Sequence, residues 1–178
     1  MPDKTKKVVL LGFMYSGKTT VGKKLAKKLG YKFYDTDAEI EYKYHYSINS
    51  IFKTFGEEIF RNMEKQMLEE LLQKDNVVIS CGGGTPCFFD NMEKIKDNSI
   101  SIYLFLTPGQ IFSRYKIAKV RRPLLEEKTE QQAFEYIDKT LAEREQYYNQ
   151  ADITLNAMNL SHDEIVEKLL EFNLSDNM

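Results

Sequence analysis

Short apolar runs alternate along this chain with longer amphipathic stretches, a pattern typical of a parallel β-sheet covered by crossover helices. The predicted strands, each closely followed by Gly, Asp, Pro or Asn, are Lys7–Leu11, Lys32–Tyr34, Val77–Ser80, Ile100–Leu106 and Ile153–Leu155. The predicted helices are Gly17–Leu29, Glu57–Gln73, Glu130–Asn149 and a last one that opens with the capping-box sequence Ser161–Glu164. The pattern therefore predicts an α/β fold.

Length and composition predict one compact domain. The 178 residues include 42% hydrophobic side chains and show neither repeats nor a linker, so one core can form over residues 1–178. Because 25 basic and 27 acidic residues give a net charge of −2, no strong field attracts nucleic acid or acidic membranes. The apolar run Val8–Met14 is far shorter than the roughly 20 residues that span a bilayer. Two cysteines without a C-x-x-C pair, and no secretory leader, indicate a soluble cytoplasmic protein.

The segment Gly12–Thr19 fits the phosphate-loop pattern G-x-x-x-x-G-K-[ST] and lies between the first predicted strand and the first predicted helix. In such loops backbone N–H groups surround phosphate oxygens, the helix N-terminus adds positive potential, and the lysine, here Lys18, reaches the β and γ phosphates. The hydroxyl of Thr19 is suited to Mg²⁺. The predicted nucleotide-binding residues of this segment are Gly12, Tyr15, Ser16, Gly17, Lys18, Thr19 and Thr20.

A phosphate loop is compatible with a switch GTPase, a kinase or a regulatory ATPase. Two features disfavour a GTPase: no Asp stands three residues before any of the nine glycines, and no Asn-Lys-x-Asp signature occurs. A kinase must in addition hold an acceptor hydroxyl in line with the γ-phosphate, supply positive charge and exclude water. Other segments of the chain must provide those functions.

Two further motifs follow predicted strands and so lie at the carboxyl ends where doubly wound sheets bind ligands. The glycines Gly82–Gly84 would let a substrate approach the backbone, although they also fit an ordinary turn. The sequence Asp35-Thr36-Asp37 offers one carboxylate for a metal ion and one for an acceptor hydroxyl. Asp37 is equally suited to cap a helix that begins at Ala38.

Several arginines have two interpretations on sequence alone. The polar stretch 116–128, with Arg122, fits a mobile lid that carries an arginine over the nucleotide, and it also fits a solvated loop. Arg61 lies four residues after Glu57 and so fits a surface helix pair. Arg144 stands between two glutamates, which is compatible with a solvated helix face.

The order and spacing of these motifs resemble those of the shikimate kinase family, small P-loop kinases of the nucleoside-monophosphate-kinase-like fold. The matching segments cover nearly the whole chain and are, in order, Gly12–Thr19, Asp35–Asp37, Phe60-Arg61 with Glu64, Gly82–Gly84, Arg122–Leu125, and Arg144 with Tyr147. The resemblance implies a three-layer α/β P-loop fold with a five-stranded parallel sheet in the order 2-3-1-4-5, a lid at 116–128 and a substrate-binding helical region at 37–62. It also implies ATP-dependent phosphorylation of shikimate at its 3-hydroxyl.

The resemblance further implies a role for each matching residue. Lys18 and Thr19 would hold phosphate and Mg²⁺, and Asp35 would help to position the metal through water. Asp37 would face the acceptor hydroxyl, and Arg122 would close over the γ-phosphate, so the predicted catalytic residues are Lys18, Asp37 and Arg122. The predicted shikimate-binding residues, of which the two arginines would bind the carboxylate, are Asp37, Arg61, Gly82, Gly83, Gly84 and Arg144.

Three positions depart from the family pattern. Tyr15 stands in the phosphate loop where the family usually has a small residue, and His45 stands where a helix-ending glycine is usual. Arg114 lies one position out of step with the family's adenine-stacking arginine, so the adenine contact is not assigned. We expect a monomer that binds ATP and shikimate and neither nucleic acid nor membrane. The alternatives are another small P-loop kinase, acting on gluconate or a nucleotide, and a nucleotide-binding module without turnover.

Overall fold

The computed structural model describes residues 6–118, 125, 128–158 and 160–175, and within them five strands form one parallel sheet. The strands are β1 Lys7–Leu11, β2 Lys32–Asp35, β3 Val77–Ser80, β4 Ile100–Phe105 and β5 Ile153–Asn156. Their order is β2-β3-β1-β4-β5, as predicted. Neighbouring strands run parallel, with Val8 opposite both Val78 and Ile100. All carboxyl ends therefore share one edge of the sheet.

Helices flank this sheet, and three of the four predicted ones begin within one residue of the observed helix. The helices are α1 Lys18–Leu29, α2 Thr36–Tyr44, α3 Ile48–Leu72, α4 Asn91–Asn98, α5 Pro108–Ile117, α6 Glu130–Tyr148 and α7 His162–Ser175, with a 3-10 turn at Thr85–Cys87. Helix α3 begins earlier than predicted, but its backbone is interrupted at Gly56, where φ is 82° and ψ is 171°. The predicted start at Glu57 coincides with this break, because glycine readily adopts the left-handed backbone that separates the two parts.

The core lies between the sheet and its helices. The central strands β1 and β3 are wholly buried, whereas the edge strand β2 is only partly buried. Continuous apolar runs such as Val8–Leu11 are what a parallel strand covered on both faces requires. Helix α1 packs against β3 and α7 and buries Val21 and Leu25 completely. Among the described residues, no helix has the length and apolarity needed to cross a membrane.

Two helix ends have well-defined caps, the C-terminal end of α2 and the N-terminal end of α7. Helix α2 ends at His45, which has φ 59° and donates its N–H to Glu41 O at 3.0 Å, so the histidine takes the conformation usual for glycine. The predicted capping box at α7 is present. Ser161 Oγ accepts from the Glu164 N–H at 3.2 Å, and Glu164 Oε2 accepts from the Ser161 N–H at 2.7 Å. This box fixes the first turn of α7, which carries His162.

Candidate active site

The phosphate loop joins β1 to α1 and is closed by the side chain of Lys18. Lys18 is 9% exposed, and its ammonium donates to the carbonyl oxygens of Gly12 at 2.7 Å and Phe13 at 2.8 Å, and to Ser16 Oγ at 3.3 Å. Because a buried ammonium is costly unless it is hydrogen-bonded, these contacts keep the charge inside the loop, beside the N-terminus of α1. The structure thus concentrates positive potential where the motif predicted a phosphate site.

A hydroxyl and a carboxylate meet at the start of α1. The Thr19 hydroxyl donates to Asp35 Oδ2 at 2.9 Å, while Asp35 Oδ1 accepts from the backbone N–H groups of Asp37 at 3.2 Å and Ala38 at 3.4 Å. The N-cap of α2 is therefore Asp35, and the alternative role of Asp37 as a cap before Ala38 is wrong, since α2 already begins at Thr36. Two oxygen ligands of this kind fit Mg²⁺, which prefers hard donors and commonly uses few protein groups.

The glycine loop, Gly82–Gly84, follows β3 and is fastened to the start of α2. The Gly82 N–H donates to Thr36 Oγ1 at 2.8 Å, and Thr36 is fully buried. A Cβ built on Gly82 would lie 2.7 Å from Asp37 Oδ1 and 3.0 Å from Glu64 Oε1. Only glycine permits this approach. The Asp37 carboxylate therefore lies against the glycine loop.

The guanidinium of Arg61 lies against the last glycine of this loop. A Cβ on Gly84 would be 2.6 Å from Arg61 Nη1. Nη1 donates to Glu64 Oε2 at 2.5 Å, Nε and Nη2 contact Glu57 Oε1 at 3.1 and 3.0 Å, and the Phe88 ring centre is 4.1 Å from the guanidinium carbon. Arg61 thus forms the helix pair with Glu57 that its spacing allowed, and it also reaches the glycine loop.

Glu64 had no predicted role, although it belongs to a matching segment. It is 1% exposed, and its Oε1 accepts from Thr85 Oγ1 at 2.8 Å while Oε2 accepts from Arg61. Because an unpaired buried carboxylate is strongly unfavourable, Glu64 and Arg61 hold each other in place. Glu64 therefore connects α3 to the residues that follow β3.

Arg144 reaches the glycine loop from α6. Its Nη1 would lie 3.1 Å from a Cβ on Gly83, and its guanidinium carbon is 5.4 Å from the centre of the Phe13 ring. Arg61 and Arg144 therefore contact adjacent glycines although they come from different helices. Two planar guanidinium groups directed at one loop suit an anionic ligand, since each can bind a carboxylate through two parallel hydrogen bonds.

The tyrosine that contacts the glycine loop is Tyr148. The family resemblance pairs Arg144 with Tyr147 instead. The Tyr148 hydroxyl donates to Gly83 O at 2.5 Å, and its side chain is fully buried. A sequence signal for this residue exists, because Tyr148 lies four residues after Arg144 and so shares its helix face. Tyr147, three residues after Arg144, has a similar helical spacing but is only half-buried, so burial rather than spacing distinguishes the two tyrosines.

Both cysteines lie beside this site and are free. Burial raises the pKa of the Cys87 thiol to about 11, an effect that the nearby arginines oppose, and burial also raises the pKa of Cys81. Both thiols are therefore protonated at neutral pH, and neither is suited to act as a thiolate nucleophile.

Arg114, whose role the sequence left unassigned, contacts the phosphate loop from α5. Its Nη1 donates to the carbonyl oxygens of Tyr15 at 3.1 Å and Ser16 at 3.2 Å, and its Nη2 donates to Ala157 O at 3.4 Å. Tyr15 has φ 64°, and its ring centre lies 6.1 Å from that of Tyr115. Tyr15 is thus held in the loop by the hydrogen bond from Arg114 to its carbonyl oxygen and by the contact of its ring with Tyr115.

His162 also approaches the phosphate loop. Its Nε2 would lie 3.2 Å from a Cβ on Gly17. Burial lowers the pKa of His162, and the positive charges of Lys24 and Arg114 lower it further, whereas Asp163 opposes the shift. This position depends on the packing of α7 against α1, which the local sequence pattern does not show.

The predicted lid, 116–128, lies mostly outside the described residues, and so does Arg122. At its far end Leu125 is fully buried, and its carbonyl oxygen accepts from the Tyr115 hydroxyl at 3.2 Å. The role of Arg122 over the nucleotide stays a prediction.

Together these elements define a class of protein. A phosphate loop follows the central strand, a carboxylate and two guanidinium groups lie at the neighbouring strand ends, and the sheet order is 2-3-1-4-5. This combination is that of a small P-loop kinase. A family model described as shikimate kinase matches residues 14–173. The chain therefore belongs to the shikimate kinase family, as its motifs predicted.

Relatives and solved structures agree with this membership. The shikimate kinase of Azobacteroides pseudotrichonymphae is 40% identical over 166 residues, which cover 93% of this chain and 98% of the relative. The crystal structure of shikimate kinase from Bacteroides thetaiotaomicron has a TM-score of 0.89 at 38% identity and covers 93% of this chain and 97% of that one. A shikimate kinase from Acinetobacter baumannii in complex with shikimate has a TM-score of 0.87 at 33% identity, with coverages of 97% and 95%. The predicted fold and enzyme class are thereby confirmed.

Proposed function

We propose that this protein transfers the γ-phosphoryl group of ATP to the 3-hydroxyl of shikimate, which gives shikimate 3-phosphate and ADP. One observation carries the proposal: the Asp37 carboxylate and the guanidinium groups of Arg61 and Arg144 converge on one glycine loop. That loop lies beside the phosphate loop, since a Cβ on Gly83 would be 3.6 Å from Gly12 O. An acid bound at the glycine loop is therefore adjacent to the phosphates of a nucleotide bound at the phosphate loop.

On the acceptor side, Arg61 and Arg144 bind the shikimate carboxylate, and the glycine loop admits the ring close to its backbone. Each charge-assisted hydrogen bond contributes about 1.5 to 3 kcal/mol, which favours an acid over a neutral sugar. The 2.5 Å hydrogen bond to Glu64 already orders Arg61. Less conformational entropy is then lost when the substrate binds.

On the nucleotide side, the phosphate loop binds ATP, and Lys18 exchanges its carbonyl partners for the β and γ phosphates. The Thr19 hydroxyl and the Asp35 carboxylate would hold Mg²⁺, which would supply positive charge to the phosphate groups of ATP. Arg122 closes over the γ-phosphate and supplies further positive charge.

Asp37 acts on the acceptor hydroxyl. A bond forms between the 3-oxygen of shikimate and the γ-phosphorus while the bond from that phosphorus to the β–γ bridging oxygen breaks, and ADP leaves. The hydroxyl proton passes to Asp37 late in the reaction, because a loose transition state needs little help from a base. The main task of Asp37 is therefore to orient the hydroxyl in line with the γ-phosphate.

The proposal is tested by measuring ADP release with ATP and Mg²⁺ against shikimate, gluconate and nucleoside monophosphates. We expect turnover with shikimate alone, and NMR of the product should show phosphate on the 3-oxygen. Turnover with gluconate or a nucleotide would contradict the assigned acceptor. ATP binding without any turnover would instead indicate a nucleotide-binding module.

The role of Asp37 is tested by Asp37→Asn, which keeps the shape of the side chain and leaves the Asp35 cap intact. Single-turnover phosphoryl transfer should fall about 10²-fold or more, because general-base and orienting groups typically contribute 10²- to 10⁴-fold. The ATP dissociation constant should change little. An unchanged single-turnover rate would show that Asp37 takes no part in phosphoryl transfer.

The monomeric state and the cytoplasmic location remain predictions from the sequence. Light scattering of the purified protein, at several concentrations, tests the first of them.

A further inference from the structure

One turn of the phosphate loop contains a residue type that disfavours the backbone conformation found there. The Ser16 N–H donates to Phe13 O at 3.2 Å and closes a β-turn whose third residue is Tyr15. Tyr15 has φ 64°, and Gly17, two residues later, has φ 93°. Such left-handed positions suit glycine or asparagine, because the Cβ of most other residues approaches the following carbonyl oxygen. A tyrosine in this turn therefore depends on support from the surrounding structure.

The left-handed residues matter for the binding of phosphate. A backbone in which left-handed residues alternate with right-handed ones directs successive N–H groups toward one point, which forms a concave anion site. Tyr15 and Gly17 stand on either side of Ser16 in such a loop. If Tyr15 relaxed to a backbone with negative φ, its peptide groups would rotate and the N–H groups would no longer converge. The conformation that binds phosphate thus requires a positive φ at position 15.

Helix α5 supports this residue in two ways. Arg114 Nη1 donates to the carbonyl oxygens of Tyr15 at 3.1 Å and Ser16 at 3.2 Å, and these bonds to the backbone could form with any residue at position 15. The ring of Tyr15 also packs beside that of Tyr115, with the centres 6.1 Å apart and the planes tilted by 57°. This separation lies within the range of favourable aromatic pairs. Of the two kinds of support, only the ring contact depends on the tyrosine side chain.

Tyr115 is well suited to hold that ring in place. Its side chain is buried, its hydroxyl donates to Leu125 O at 3.2 Å, and the ring centre of Phe112 lies 5.9 Å from its own. A closely packed side chain with a directed hydrogen bond has little freedom to move. Tyr15 is itself half-buried, so its ring meets a fixed partner on the side of α5.

We propose that Tyr115 is a positioning residue for the nucleotide. Its ring holds Tyr15 in the left-handed turn and thereby keeps the backbone N–H groups of the phosphate loop directed at the phosphates. The proposal rests on the nucleotide half of the proposed function. Without the ring contact, a smaller fraction of the protein has the competent loop, and the apparent dissociation constant for the nucleotide rises in proportion.

Two substitutions at position 15 separate the backbone conformation from the ring. Both remove the contact with Tyr115, but Tyr15→Ala keeps the Cβ that disfavours the left-handed turn, whereas Tyr15→Gly does not. Calorimetry with a non-hydrolysable ATP analogue and Mg²⁺ should give Tyr15→Ala a dissociation constant about fivefold above the wild-type value. Tyr15→Gly should bind the analogue at least about threefold more tightly than Tyr15→Ala. Equal dissociation constants for the two variants would overturn the proposal.

The partner ring is tested by comparing Tyr115→Leu with Tyr115→Phe. Tyr115→Leu removes the ring and should raise the dissociation constant of the analogue about fivefold. Tyr115→Phe loses the hydrogen bond to Leu125 but keeps the ring, so it should bind the analogue severalfold more tightly than Tyr115→Leu. Equal weakening by both variants would assign the effect to the hydroxyl and contradict the proposal. The comparison at position 15 decides the matter if Tyr115→Leu does not fold.

A double-mutant cycle shows whether Tyr115 acts through Tyr15. In the Tyr15→Gly background, Tyr115→Leu should raise the dissociation constant by less than about twofold, because glycine adopts the turn without a ring to hold it. The full effect in that background would refute the proposal. Because binding is measured without an acceptor, a failure to phosphorylate shikimate would refute the proposed function, while the binding data would still decide the role of Tyr115.

Discussion

The two loops of the site lie side by side at the carboxyl end of the sheet, yet they are held in different ways. The phosphate loop carries its own organising side chain, since Lys18 donates to the carbonyl oxygens of Gly12 and Phe13 a few residues earlier, and Arg114 of α5 adds hydrogen bonds from outside. The glycine loop has no comparable internal contacts to a side chain among the described residues. Its backbone is instead bound by Thr36 from α2 and Tyr148 from α6.

This difference matches what each loop has to recognise. Phosphate groups are the same in every nucleotide, so a local sequence with backbone N–H groups and one lysine is sufficient. A particular acid requires groups at defined distances in space, and such groups come from several helices. We therefore expect substitutions in the phosphate loop to affect turnover, and substitutions of the arginines and glycines of the glycine loop to affect mainly the affinity for the acceptor. Asp37 is the exception, because it acts on the reacting hydroxyl.

The largest effect is expected for Lys18→Ala. Its charge is directed at the transferring phosphate, and loss of such a group lowers kcat by about 10³-fold or more. The melting temperature should change little, because the lysine contacts the loop rather than the apolar core. Lys27→Ala, on the exposed face of the same helix, is the matched control and should keep full activity. Substantial turnover by folded Lys18→Ala would show that the loop does not act on the γ-phosphate.

The next largest effect is expected for Arg144→Ala and Arg61→Ala. Each removes charge-assisted hydrogen bonds to the carboxylate, which corresponds to an increase of about 10- to 150-fold in the shikimate KM. An analogue without the carboxylate should lose little further affinity in either variant. If the losses from the analogue and the variant add in full, the arginines do not bind that carboxylate.

The two arginine variants should differ in stability. Arg61→Ala leaves the buried Glu64 carboxylate without its partner, and this should lower the free energy of unfolding by about 3 kcal/mol. Arg144→Ala leaves no such carboxylate–arginine pair broken in the described structure and should be closer to the wild type. Thermal unfolding of both variants measures this difference, and equal melting temperatures would contradict it.

A smaller effect is expected when a methyl group is added to the glycine loop. In Gly84→Ala the new Cβ would lie 2.6 Å from Arg61 Nη1, so the guanidinium must move away. We expect the shikimate KM to rise about tenfold, with the ATP KM unchanged, because one arginine is displaced. Gly109→Ala in α5 is the control, since no described residue beyond its own helical neighbourhood lies within 4 Å of its added Cβ. A normal shikimate KM in Gly84→Ala would mean that Arg61 can bind the acceptor from another position.

The same contrast explains how much the sequence could predict. The phosphate loop, the strand bounds and the capping box at Ser161 depend on neighbouring residues, and all of them could be predicted from local patterns. The helix cap at Asp35 was missed because Asp35 and Asp37 both suit a helix start, and only the backbone geometry shows which of them accepts.

Residues around the glycine loop could be placed only by resemblance to a family. Nothing in the local sequence brings Arg61 and Arg144 together, because their approach depends on how α3 and α6 cross the sheet. The contacts of Glu64 with Thr85 and of Tyr148 with Gly83 were missed for the same reason. Tertiary packing decides these positions, and helical spacing alone indicates only that Tyr148 shares a face with Arg144.

The smallest predicted effect concerns His162 of α7, which approaches the phosphate loop from a second helix besides the α5 that carries Arg114. Burial lowers the pKa of His162, and Lys24 and Arg114 lower it further, so the folded protein binds a proton there less tightly than the unfolded chain does. The stabilising contribution of neutral His162 is therefore complete above pH 6.5, the ordinary value for histidine. It is lost as the pH falls below 6.5 and through the lower pKa of the folded state.

Between pH 7.5 and pH 5, the melting temperature of the wild type should consequently fall slightly more than that of His162→Gln, which cannot be protonated. NMR titration measures the same effect directly, and because the chain has only two histidines, a His45→Gln sample assigns the signals. The pKa of His162 should lie below 6.5 in the free enzyme and rise when a non-hydrolysable ATP analogue adds negative charge at the loop. A pKa above 6.5 in the free enzyme would show that the basic surroundings of His162 do not act on it. If the pKa of His162 is low and the analogue leaves it unchanged, the nucleotide phosphates lie too far from His162 to affect its protonation.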